Sequence, residues 1–169
     1  YLVIDEAYIE FASDYQRPQG DHVINLRTMS KIYGMAGLRI GMMKASGQTF
    51  KDLTKINHPY PVNSLALNLA SEFLEDSQRV KKFKTYQLQS RDLLIESFNK
   101  VISFKPTSSN FIFTYGPQAL QLGKYLSQQG FQGRFYQLPG MEEVVRYSII
   151  QQQAYPQLLE ALQAWQKGQ

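Results

Sequence analysis

Lys31 is the residue whose neighbours most suggest chemistry. It lies in Thr28-Met29-Ser30-Lys31-Ile32-Tyr33-Gly34-Met35-Ala36-Gly37-Leu38-Arg39-Ile40-Gly41, with hydroxyls just before it and glycines and a guanidinium after it. A phosphate-bearing aldehyde needs those groups: an amine to condense with the carbonyl, and hydroxyl and guanidinium donors for the phosphate. A lone lysine on a loop is ordinarily a solvated charge, so the weight rests on the combination.

Asp5 ends an apolar run, Tyr1-Leu2-Val3-Ile4, and is followed by Glu6-Ala7-Tyr8. A carboxylate at the end of a buried strand stands where open α/β sheets bind ligands. It could pair with a protonated ring nitrogen, or hold magnesium as in the Walker B strand of helicase-like ATPases, or be a solvated acid. The ATPase reading leaves the Lys31 segment without a purpose. Downstream, Arg146 stands inside Val144-Val145-Arg146-Tyr147-Ser148-Ile149, where a buried guanidinium is costly without an anion. Arg134 lies between Gly133 and Gly140, where a solvated-surface role competes with a binding one. Asn110 reads as a site residue or a turn. Tyr33, Tyr60 and Tyr147 read as packing, His58 as a loop residue and His22 as a strand residue. Neither histidine has a metal-ligating companion at suitable spacing, so no metal is expected.

The elements that must position these residues follow from apolar patterning. Residues 1–5, 22–26 and 38–43 read as strands, the first in a parallel sheet covered on both faces. Helical spacing of apolar residues runs from Ser64 to about Leu74 and from Ser77 to about Val101, with Asp76 and Ser77 marking a break and a new N-cap. A compact α/β pattern follows: strand 110–114, helix 118–129, strand 144–149, helix 155–167. The long second helix suits a connector, so we expect one domain to end near residue 78 and a small C-terminal domain to span 79–169.

Composition bounds the rest. At 169 residues and 43% hydrophobic, the chain can bury a core and is far from the composition of disorder. Lys and Arg outnumber Asp and Glu, 18 to 14, which suits an anionic small molecule; the basic residues are scattered, and Arg79, Lys81, Lys82 and Lys84 read as a solvated helix face. We expect no nucleic-acid partner and no membrane span, because no apolar run approaches the roughly 20 residues that crossing requires. Cysteine is absent, which permits a reducing cytoplasm. The chain opens at a strand that needs neighbours on both sides, so we read it as a fragment.

Asp5-x-x-Tyr8, Ser30-Lys31 and Gly37-Leu38-Arg39-x-Gly41 resemble the fold-type I pyridoxal-phosphate aminotransferases. Within them, Val3-Ile4-Asp5-Glu6-Ala7-Tyr8-Ile9-Glu10-Phe11 and Pro59-Tyr60-Pro61-Val62-Asn63-Ser64-Leu65-Ala66 are similar to the histidinol-phosphate aminotransferases. The resemblance implies an α/β chain: part of the large cofactor domain, with its mixed, mostly parallel sheet, followed by the small C-terminal α/β domain. It implies that Lys31 holds pyridoxal 5'-phosphate as a Schiff base and shuttles the proton of the substrate Cα. Asp5 would pair with the pyridinium nitrogen and Tyr8 with the ring 3' oxygen, while Thr28, Ser30 and Arg39 would hold the phosphate. Arg134 and Arg146 match the two arginines that grip the substrate's anionic groups, with Arg146 on the amino-acid carboxylate. The implied reaction is transamination between histidinol phosphate and 2-oxoglutarate in histidine biosynthesis, by a cytoplasmic homodimer.

The family's upstream elements are missing here: the glycine-rich turn that helps bind phosphate, the ring-stacking aromatic and the Asn-Pro-rich loop. The chain alone is therefore expected to be inactive. Where the family shows a glycine shortly after the second arginine, this sequence has Ile149-Ile150-Gln151. Alternatives to the histidinol-phosphate reading are another aminotransferase or a threonine-phosphate decarboxylase of the same fold. From other classes come an ATPase fragment, which would require a Gly-Lys-Ser/Thr loop upstream, and a non-catalytic, ligand-sensing aminotransferase-like domain.

Overall fold

Val3 and Ile4, β-branched and consecutive, favour extended backbone, and Leu2–Asp5 forms strand β1. A computed structural model describes residues 1–56, 58–59, 61–105 and 107–168. β1 pairs in parallel with β2 (Val23–Thr28), Leu2 opposite Val23 and Asp5 opposite Leu26. β2 pairs antiparallel with β3 (Gly41–Lys44), giving a mixed three-stranded sheet in the order β1-β2-β3. Between β1 and β2 the chain makes a 3-10 turn, Ile9–Phe11, anchored by the buried Phe11.

Two strand expectations shift. The third strand starts at Gly41 rather than near Leu38, because Ala36–Leu38 forms a 3-10 turn closed by Arg39 in the left-handed region, φ 56°. That backbone cannot continue a strand. His22 lies in the turn before β2, not in it.

Helix α1 (Gly47–Lys55) was not anticipated; its large apolar residues, Phe50 and Leu53, give too short a pattern to announce it. The buried Thr49 hydroxyl bonds the Asp21 carbonyl and ties it to the start of β2. α2 (Ser64–Glu75) begins at Asn63, whose side chain accepts the Leu65 and Ala66 N–H groups at 2.9 and 3.3 Å. α3 (Ser77–Asn99) follows at once, with Asp76 accepting the Arg79 N–H at 2.9 Å, so Asp76 rather than Ser77 caps it. Ala66 and Ala70, one turn apart on α2, pack with Met29 and Ile40, and Tyr33, Met35 and Leu38 close over them. This small core lies beneath the Lys31 turn and fixes its base.

The chain divides into two compact units, Tyr1–Thr85 and Tyr86–Gln169, and the division falls within α3. In the second unit, β4 (Phe104–Lys105), β5 (Phe111–Tyr115), β6 (Arg134–Phe135) and β7 (Val144–Ser148) form an antiparallel sheet in the order β4-β5-β7-β6. β4 and β6 are two residues each, too short for patterning to reveal. α4 (Pro117–Gln128) and α5 (Tyr155–Lys167) match the expected helices closely. Leu94, Phe98, Ile112, Leu126, Val145 and Leu162 meet in one core. Tyr147 packs on Phe98 at 4.6 Å, as expected of a packing residue, and burial without a hydrogen-bond partner pushes its phenol well above the usual range. Among the described residues no helix is long and apolar enough to cross a membrane.

Candidate active site

The parallel pairing of β1 with β2 brings the carboxyl ends of both strands to the same edge, where Asp5 and Thr28 emerge. Asp5 Oδ1 accepts the Ala7 N–H at 2.9 Å, a local turn that starts the path to Tyr8. Tyr8 precedes the 3-10 turn, and its carbonyl accepts the Phe11 N–H at 3.0 Å. From the other strand, Thr28 leads into a turn closed by the Gly34 N–H on the Lys31 carbonyl, 2.9 Å, and the Met35 N–H on the Met29 carbonyl, 2.9 Å. Lys31 projects from it with Nζ 5.1 Å from the centroid of the Tyr8 ring. Thr28 Oγ1 lies 2.9 Å from Ser30 Oγ and accepts the Ser30 N–H at 3.1 Å.

Tyr8 with Lys31, and Thr28 with Ser30, are thus brought together. Arg39 stands apart on its left-handed turn, exposed, with Nη1 donating to the Ala36 carbonyl at 3.1 Å. It lines a recess with Gly37, Pro61, Asn63 and Leu65 at the start of α2. An amine, a phenol, paired hydroxyls and a carboxylate at this edge fit a phosphorylated aromatic aldehyde, with the Arg39 guanidinium outside the cluster.

Arg134 and Arg146 belong to the second unit and are directly opposite each other across the β6–β7 pair. Arg146 also faces Phe113 across β5–β7, so period-2 alternation puts both arginines on the sheet face away from Val145 and Tyr147. Its guanidinium lies 5.0 Å from the Phe111 ring, and its Nε is buried with no hydrogen-bond partner. Arg134 lies 5.4 Å from the Tyr136 ring. Like charges directly opposite in a sheet repel, and an orphaned guanidinium N–H adds a desolvation penalty; an anion between them relieves both. Asn110 serves the sheet end, its carbonyl accepting the Ile149 N–H at 2.9 Å.

Two carboxylates escaped the sequence reading. Glu6, buried at 3% exposure, accepts Arg17 Nε and Nη2 at 2.8 and 2.9 Å, Asn25 Nδ2 at 2.8 Å and the Tyr15 hydroxyl at 3.2 Å. The hydrogen bonds from Arg17 hold its carboxyl below the usual range, against the opposing effect of burial. Glu10 pairs with Arg27 and accepts the Tyr33 hydroxyl at 3.4 Å, and Lys84 lies over the Tyr33 ring at 4.9 Å. Tyr33 and Lys84 are therefore more than the packing and solvated-face residues expected of them. Only a buried or acid-rich turn signal, Glu6 and Glu10 flanking Tyr8, could have pointed to this. Tyr60 lies outside the described residues.

A family model for "Aminotransferase class I and II" matches residues 1–162. The histidinol-phosphate aminotransferase of Caldanaerobacter subterraneus is 33% identical over 167 residues, 95% of this chain and 47% of the relative. The chain thus spans about half the length of the curated relatives it matches. Two crystal structures share the fold. One is histidinol-phosphate aminotransferase from Sinorhizobium meliloti in complex with pyridoxal-5'-phosphate, with a TM-score of 0.78 at 23% identity over 97% of this chain and 49% of that one. The other is L-threonine-O-3-phosphate decarboxylase from Porphyromonas gingivalis, with a TM-score of 0.74 at 22% identity over 98% and 55%. By sequence pattern, site chemistry and family match together, the chain belongs to the aminotransferase class I and II family.

Proposed function

We propose that the whole protein is a pyridoxal-phosphate-dependent aminotransferase that exchanges an amino group between histidinol phosphate and 2-oxoglutarate. The observation that carries this reading is the approach of Lys31 Nζ to Tyr8, 5.1 Å from the ring, at the shared carboxyl edge of two parallel strands. In this reading Lys31 holds the cofactor through its amine, Asp5 and Tyr8 hold the ring, and Thr28, Ser30 and Arg39 hold the phosphate. Bound pyridoxal phosphate supplies an electron sink for the pair left when a Cα proton departs.

Each residue's work follows from its chemistry. With the cofactor bound, the Asp5 carboxylate would favour a proton on the ring nitrogen, because a negative charge beside it stabilises the protonated form. Once a substrate amine has displaced it from the cofactor, Lys31 would be free to accept a proton at the substrate Cα and return it, the role of a general base whose partner must lie within reach. Arg146 and Arg134 bind anionic groups. Two arginines suit both partners of the exchange, since 2-oxoglutarate carries two carboxylates and histidinol phosphate one phosphate. The intact protein is a homodimer acting on small molecules.

The structural likeness to a threonine-phosphate decarboxylase favours one second reading, in which a substrate bearing both carboxylate and phosphate loses carbon dioxide instead. Supplying the whole protein with histidinol phosphate plus 2-oxoglutarate, and separately with threonine phosphate, separates the two. Formation of glutamate in the first mixture supports the aminotransferase; carbon dioxide release from the second, without glutamate in the first, replaces it with the decarboxylase.

A further inference from the structure

Glu10 joins three segments that the candidate site needs in register. It lies on the 3-10 turn two residues after Tyr8; Arg27, its ion-pair partner, precedes Thr28 on β2; and Tyr33, which donates to it at 3.4 Å, sits two residues after Lys31 on the closed turn. Both charged partners are partly withdrawn from water, with side-chain exposures of 30% for Arg27 and 13% for Glu10, so the pair is screened less than a surface pair. Lys84 over the Tyr33 ring at 4.9 Å holds that ring from another side. The Lys31 amine over the Tyr8 ring is a second contact between the Tyr8 turn and the Lys31 turn. An amine 5.1 Å from a ring centroid is a weak constraint by itself.

We propose that Glu10 is a positioning residue: through Arg27 and Tyr33 it fixes the Tyr8 turn against the Lys31 turn and so sets the angle at which a bound cofactor ring is held. It touches neither cofactor nor substrate. The inference rests on the proposed reading of Lys31 and Tyr8 as cofactor ligands. A carboxylate paired with a guanidinium from one segment and a long hydrogen bond away, 3.4 Å, from a phenol of another links the two, and loss of either contact loosens that link.

The test uses the whole protein loaded with pyridoxal phosphate and reads the visible circular dichroism of the bound cofactor, normalised to its absorbance, together with the rate at which cofactor is released into excess apo-acceptor. In Glu10→Gln and in the milder Tyr33→Phe, we expect the normalised dichroism to change and release to quicken by about tenfold and a few-fold respectively. Glu10→Asp, which keeps the charge, should restore part of both. A purely structural role predicts a lowered melting temperature with unchanged dichroism at equal occupancy. That result, in the variants that fold, overturns the inference. If the unsubstituted protein shows no visible band that depends on Lys31, the cofactor reading fails instead, and the two failures are thereby told apart.

Discussion

Arg146 places a charge on a sheet face opposite Arg134, with one buried N–H unanswered. Such a residue burdens the empty fold and helps only when an anion arrives. Replacing it with Met keeps the packing against Phe111 and removes the repulsion, so Arg146→Met should leave stability unchanged or raise it by up to about 1 kcal/mol. In the whole protein the same change should raise KM for anionic substrates on the order of tenfold or more. A large drop in melting temperature would instead mean that Arg146 has a structural partner. Glu6 works the other way. Its carboxyl is held below the usual range by Arg17, so the stabilisation is fully present above the unfolded-state value, about 4.3, and is lost as pH falls through the lower folded-state value. Glu6→Gln should cost about 2 kcal/mol at neutral pH. The gap between variant and parent melting temperatures should begin to narrow as pH falls below the unfolded-state value, about 4.3, and close only below the lower folded-state value; curves that stay parallel throughout would show that Glu6 is not the titrating group. Lys31, Arg39 and Arg146 stand out in the sequence as candidates because each breaks a local rule: an amine among hydroxyls, a cation among glycines, a cation in an apolar strand. Glu6 and Glu10 were not, because their partners, Asn25, Arg17, Arg27 and Tyr33, lie 11 to 23 residues away.

Elements with a full period of pattern were the readable ones. α2, α4 and α5 fall within a residue or two of expectation, since each offers several turns of apolar spacing. β4 and β6 carry two residues each and exist only because β5 and β7 offer them edges to pair with. Arg134 therefore reads in the sequence only as part of a glycine-bounded segment, while the structure puts it in β6 opposite Arg146. The approach of β6 to β7 depends on Gly133, where a Cβ would lie 2.6 Å from Val145 Cγ1 and 3.0 Å from Tyr147 Cε1. Both neighbours are buried and Val145 is rotationally stiff, so Gly133→Ala should destabilise the second unit by about 1–3 kcal/mol. Thermal unfolding of the variant measures this, and an unchanged midpoint would mean that β6 is free to shift outward.

At the scale of the whole chain, two units with separate cores hold separate parts of the proposed site: a Lys31–Tyr8–Thr28 edge in the first and an arginine pair in the second. The first unit leaves Leu65, Leu67 and Leu69 of α2, together with Val3, Met42 and Met43, exposed. Lys31 is the amine proposed to hold the cofactor. The direct measurement is to load the whole protein with pyridoxal phosphate, reduce with borohydride and map the modified peptide by mass spectrometry. We expect one pyridoxyl group, on Lys31, and none in Lys31→Ala. Labelling scattered over surface lysines such as Lys51 and Lys55, unaffected by Lys31→Ala, would contradict it.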